Sequence, residues 1–80
     1  MKNHFDNAPL KTLTEAARKA AEALKLKYRP VVVRDEVTAQ CIAERTRANV
    51  VMLGDGAYWV VCLADAERLN RAGYEYAPRR

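Results

Sequence analysis

The strongest constraint on this chain is a pair of apolar runs flanking a tight turn. Val50-Val51-Met52-Leu53 and Tyr58-Trp59-Val60-Val61-Cys62-Leu63 stand on either side of Gly54-Asp55-Gly56-Ala57. Asp-Gly tolerates positive φ, so the segment predicts a β-hairpin closed by a type I′ turn. Successive side chains of a strand point to opposite faces. Tyr58, Val60 and Cys62 then point one way, and Trp59, Val61 and Leu63 the other. Val50 and Met52 likewise oppose Val51 and Leu53. Neither face is polar. Pro30-Val31-Val32-Val33 adds another β-branched run without alternation, the pattern of a strand covered on both sides.

The cover has to come from helices. Leu10, Leu13, Ala17, Ala20, Leu24 and Tyr28 form one helical stripe, with Lys11, Glu15, Arg18, Glu22 and Lys25 opposite. Thr12-Leu13-Thr14-Glu15 fits a capping box, Glu15–Lys19 and Arg18–Glu22 are i,i+4 pairs, and Pro30 stops the helix. Residues 36–48 fit strand alternation (Val37, Ala39, Cys41, Ala43) and helical spacing (Ala39, Ile42, Ala43, Thr46) alike. Their Ala, Gln, Glu and Arg content, with Asp35 as N-cap, favours helix. Asp65 is placed to cap a last helix through Ala72, with Gly73 at its left-handed end. Tyr74-Glu75-Tyr76 can pair as an edge strand.

The expected fold is a small α+β domain over residues 1–80, in the order α-β-α-β-β-α, with 1–8 and 77–80 as loose ends. About 16 residues containing a helix join Val31–Val33 to Val50–Leu53, which predicts parallel pairing and hence a mixed three-stranded sheet. Of the 40 apolar residues 14 are alanine, so the helices are thin cover for strands apolar on both faces. Strand surface, or the edge at Tyr74–Tyr76, is then left for a second copy, and a two-fold homodimer is expected.

Charge is segregated. Residues 1–29 carry seven cations against three anions, and residues 30–80 seven against seven, so the net +4 lies in the first third. Such a patch attracts nucleic acid or an acidic protein surface. Arg18, Lys19, Lys25, Lys27 and Arg29 are the candidate partner-binding residues. No run of 18 apolar residues crosses a membrane, and MKNHFDNAPLK lacks the apolar core of a signal peptide. Cys41 and Cys62 lie in apolar segments without CxxC spacing, read as reduced core residues of a cytoplasmic protein. With His4 as the sole histidine they do not make a zinc site, and neither metal nor cofactor is expected.

Catalysis is not expected either. There is no GxSxG, P-loop or GxGxxG, and Asp55 between glycines reads as a turn before it reads as a phosphate or metal loop. Thr38-Ala39-Gln40-Cys41-Ile42-Ala43-Glu44-Arg45-Thr46 resembles the first helix of the helix-turn-helix family, which often reads TxxxIAExx. That resemblance implies DNA binding through a following recognition helix, but VVMLGDGAYWVV stands where that helix belongs. The stretch VVMLGDGAYWVVCLADAERLNRAGYEYA resembles the ends of short accessory proteins of bacterial phages and integrated elements. This second resemblance implies a small non-catalytic protein that binds a host macromolecule. The expected function is therefore a binding protein that modulates, or inhibits, a host macromolecular complex. The alternative is a nucleic-acid-binding regulator that sets the basic helix on phosphates and stacks Trp59 and tyrosines on bases.

Overall fold

The computed structural model describes residues 9–45 and 49–78. They form α1 (Leu10–Leu24), β1 (Val31–Val33), α2 (Glu36–Arg45), β2 (Asn49–Leu53), β3 (Tyr58–Cys62), α3 (Leu63–Arg71) and β4 (Glu75–Tyr76). The lead-in with His4, residues 46–48, and Arg79 and Arg80 lie outside the described residues.

The chain folds as α+β, but the sheet corrects the expectation of three mixed strands. Four strands run in the order β1-β3-β2-β4, and every neighbouring pair is antiparallel. β1 and β2 do share a direction, since each is antiparallel to β3, yet β3 lies between them. The hairpin explains this. β2 and β3 match from Asn49↔Cys62 to Leu53↔Tyr58, which leaves the far edge of β3 open for β1 to take. The crossover through α2 therefore skips a strand. β4 pairs with β2 at Met52↔Tyr76, and the Ala77 amide donates to the Val51 carbonyl at 2.9 Å.

Alternation sorts the strand residues as expected. Met52, Trp59 and Val61 meet Leu13, Ala17 and Ala20 of α1 and Ala66 and Leu69 of α3. Val51 and Val60 face Ala39 and Ala43 of α2 on the other side. Both faces of the central strands are covered, while Val31 of β1 and Tyr76 of β4 stay about half exposed at the two edges of the sheet. The sheet has two open edges, β1 and the exposed β4, and β1 is poorly suited to pairing. The Gly54 amide donates to the Ala57 carbonyl at 2.8 Å, and hydrogen-bonded pairs alternate along an antiparallel ladder. Val31 and Val33 therefore turn their backbones to β3, and Val32 and Pro30 turn theirs outward. Pro30 has no N–H to offer, which blunts the edge. As an edge, β1 is not the doubly covered strand expected, and Val31 is 48% exposed.

The hairpin turn is not type I′. Gly56 has φ +85°, but Asp55 is not in the positive-φ region. The Gly56 amide returns to the Gly54 carbonyl at 3.0 Å.

Several element ends also differ. α1 starts at Leu10 behind Pro9, whose φ of −63° suits a helix entry, so the Thr12 capping box is not formed. Glu15 binds Arg18 instead. α1 also ends well before Pro30. Lys25 turns left-handed (φ 56°), the Leu26 amide donates to Ala21 at 2.9 Å, and the Lys25 amide to Glu22 at 3.4 Å. That is a Schellman closure. α3 closes in the same way on Gly73 (φ 109°), with Tyr74 donating to Leu69. A side chain in this conformation costs about 1–2 kcal/mol, partly offset by glycine's extra unfolded-state entropy. Lys25→Gly is expected to raise stability by up to ~1 kcal/mol, a rise of about 4–8 °C in thermal melts.

The segment that could have been strand or helix is helix α2, and Asp35 is its N-cap. The Thr38 amide and hydroxyl both donate to Asp35 Oδ2, at 2.7 and 2.8 Å. These bonds favour the carboxylate and hold its pKa below the ordinary 3.8. A depressed folded pKa gives stability that is present above the unfolded value and lost as pH falls through the folded one. Asp35→Ala should therefore be less stable than wild type at neutral pH, and denaturant titrations should show the gap closing as pH drops below 3.8. A gap unchanged under acid would refute the assignment.

Candidate functional site

Between the end of α1 and β1 the chain runs through Lys25, Leu26, Lys27, Tyr28 and Arg29 without regular structure. An acid 38 residues away holds it. Asp65 Oδ1 accepts the Lys27 amide at 2.8 Å, and Oδ2 accepts the Tyr28 amide at 3.0 Å. Asp65 is 1% exposed, the one buried charged side chain among the described residues. It was expected to be the N-cap of α3. The helix instead begins at Leu63 behind Cys62, and Asp65 is its third residue. In the first turn its charge is still favoured by the helix dipole, but its oxygens cap the loop.

The clamp fixes a basic hollow. An open depression of about 360 Å³ is lined by Arg18, Glu22, Lys25, Lys27, Tyr28 and Arg29, with Ala21 and Leu26 beneath. Four of the five expected partner-binding residues meet there. Lys19 is exposed on α1 outside the hollow. Arg18 is committed internally, with Nη2 on Glu15 and Nη1 on Glu22 at 2.7 Å. The Arg18 hydrogen bond and charge, with the fields of Lys19 and Arg29, hold Glu15 below its ordinary pKa. The expected Arg18–Glu22 pair thus forms, whereas Arg18 replaces Lys19 as partner of Glu15. Lys25, Lys27 and Arg29 form no ion pair among the described residues, so their charge is available to a partner.

The helical stripe places Tyr28 on the buried side of α1. The early helix end moves it out, and it is 62% exposed with Lys27 Nζ 5.8 Å from its ring centre. Val31 and Leu63 are also large, apolar and about half exposed. Neither lines the hollow, and Val31, paired with Val60, lies on the face of the sheet that α2 covers. Sequence reasoning missed Tyr28 and Asp65. No glycine marks the end of α1, and an acid at a helix start reads as a cap wherever its oxygens turn.

The other features singled out in the sequence are structural. Trp59 is fully buried, with the Tyr74 ring 5.2 Å away, so it is no stacking platform. Asp55 accepts the Tyr74 hydroxyl at 3.1 Å; burial first, then that bond and charge, push the Tyr74 pKa up. Cys41 is exposed on α2 and Cys62 half-buried, both free thiols, which corrects their reading as core residues. α2 is followed by β2, so no recognition helix completes the helix-turn-helix resemblance. Among the described residues no group of three His, Cys, Asp or Glu could hold a metal ion, and no helix is long and apolar enough to cross a membrane.

These features define an α+β domain with a clamped basic hollow at one end. No family model, curated protein or solved structure matches the chain.

Proposed function

We propose that this chain is a non-catalytic binding module that docks the exit of α1 on an acidic protein surface and thereby modulates a larger host assembly. The resemblance of residues 50–77 to phage and integrated-element accessory proteins agrees with such a role. The observation that carries the reading is the Asp65 clamp, which holds three uncommitted cations on a preformed loop. Preorganised groups lose little entropy on binding. Protein is preferred to nucleic acid on magnitude. Three cations neutralise about three phosphates, for a log–log salt slope near −2.7 on duplex DNA, where strong binders make roughly 6–10 contacts.

The test is capture from bacterial lysate, with and without nuclease, by wild type and by the triple variant K25E/K27E/R29E. Wild type should retain the same protein in both conditions, and the variant should lose at least tenfold while keeping its circular dichroism. Nuclease-sensitive capture, or a gel shift with mixed DNA and RNA at low salt, would establish the nucleic-acid reading in its place.

A further inference from the structure

The hollow already seats one carboxylate. Arg18 lies on the surface of α1 between two acids, and they hold it unequally. Glu15 Oε2 accepts from Nε at 3.1 Å and from Nη2, whereas Glu22 Oε2 accepts from Nη1 alone at 2.7 Å. Glu22 lines the hollow and Glu15 does not. Glu15 therefore aims the guanidinium, and the Nη1 end, with Glu22, belongs to the hollow. The Glu22 contact is the replaceable one. Its side chain is 66% exposed, and an ion pair open to water adds little stability. A carboxylate set end-on across Nη1 and Nη2 would make two parallel bonds where Glu22 makes one.

We infer that Glu22 keeps the seat of a partner's carboxylate: an acidic segment of another protein sets one Asp or Glu side chain on Arg18 in exchange for Glu22, and its neighbouring acids on Lys25, Lys27 and Arg29. This exchange rests on the function proposed above and names the group that is recognised. A lone carboxylate would gain almost nothing by it, since it breaks one exposed pair to make another. On a segment already drawn to three cations without ion pairs among the described residues, the carboxylate arrives at high effective concentration, and Arg18 becomes the fourth cation. Glu22 then turns to water, to which it is already largely open. The contact works as a filter, because a ligand with too few acids leaves Arg18 closed. Closely spaced phosphates fit less well. Glu22 stays on the wall of the hollow after it lets go, and its charge opposes them.

Side-chain and amide NMR of the full chain, titrated with a short all-glutamate peptide and with a short oligothymidylate, tests this. The peptide should move the Arg18 Nε–H and the Glu22 carboxyl carbon along the same saturation curve as the Lys25 and Arg29 amides, and leave the Glu15 carboxyl carbon in place. Glu22→Gln should bind the peptide about two- to fivefold more tightly, the scale of an exposed ion pair. Glu44→Gln removes the same charge from α2, across the sheet from α1, and should leave affinity unchanged. In an Arg18→Gln background most of the Glu22→Gln gain should be lost. An unmoved Glu22 carboxyl with peptide bound, or a gain mostly retained without Arg18, would overturn the exchange while leaving charge-driven docking intact. Tighter binding of the oligothymidylate would overturn the acidic segment itself. Failure of both probes, alongside lysate capture that still depends on Lys25, Lys27 and Arg29, would sink this inference but not the function it rests on.

Discussion

Asp65→Ala is expected to remove a large share of the protein's stability and to dissolve the basic hollow. The carboxylate is buried and accepts two backbone amides from a segment with no ladder of its own. A hydrogen bond to a charged group contributes about 1.5–3 kcal/mol, and an amide stripped of its partner away from water costs a similar amount. The expected loss is ~3–5 kcal/mol, a large share of the stability available to a domain of this size. Asp65→Asn should fall between, because one amide oxygen can accept but the NH₂ confronts the other donor. Hydrogen exchange supplies the local readout. The Lys27 and Tyr28 amides should exchange as slowly as strand amides in wild type, and in Asp65→Asn the one left facing the NH₂ should exchange near the unfolded rate. Fast exchange of both in wild type would show that the clamp does not hold in solution.

How far the sequence reveals this fold depends on what kind of information each feature needs. The hairpin, the two-faced apolar strands, α2 with its Asp35 cap and the glycine end of α3 are local patterns, legible from residue type and spacing. Strand order is not local. Valine runs at 31–33 and 50–53 announce two strands with a helix between, and nothing in them says that β3 will enter the gap. The hairpin decides that, since its second strand must lie beside β2 and can do so only on one edge or the other. The missed end of α1 has the same cause at smaller scale. A left-handed lysine carries no signature in the sequence, and only the folded chain, with its Schellman bonds and the Asp65 clamp, shows that the helix has ended before Lys27.

The candidate site was half legible. Charge segregation pointed to Arg18, Lys25, Lys27 and Arg29, which line one hollow, and to Lys19, which does not. That Arg18 is consumed by Glu15 and Glu22 was visible only in part, because i,i+3 and i,i+4 partners compete and geometry decides between them. Tyr28 shows why the remainder was hidden. Its place in a helical stripe argues for burial, and the same residue becomes the most exposed aromatic at the site once the helix stops at Leu24.

Gly54→Ala should be nearly as damaging as the loss of Asp65, for a reason of shape. A Cβ at position 54 would fall onto the Trp59 indole, against Cε2, Nε1 and Cδ2, far inside van der Waals contact. An exposed ring could swing away, but Trp59 is fully buried between the sheet and helices α1 and α3, and Tyr74 closes another side. The indole N–H has no hydrogen-bond partner among the described residues, so packing alone positions the ring. Any shift must therefore be absorbed by Leu13, Ala17 or Leu69, or by opening the hairpin. Overpacking of this kind costs about 1–3 kcal/mol, more where neither ring nor backbone can give, and the expected loss here is at the upper end. Trp59→Leu should leave Gly54→Ala better tolerated, because leucine has no atoms at the Cε2 and Nε1 positions that the new methyl would meet. A double-mutant cycle by denaturant unfolding measures this directly: coupling of more than ~1 kcal/mol is expected. Additive losses would mean that Gly54 is required for its backbone and not for the space it leaves.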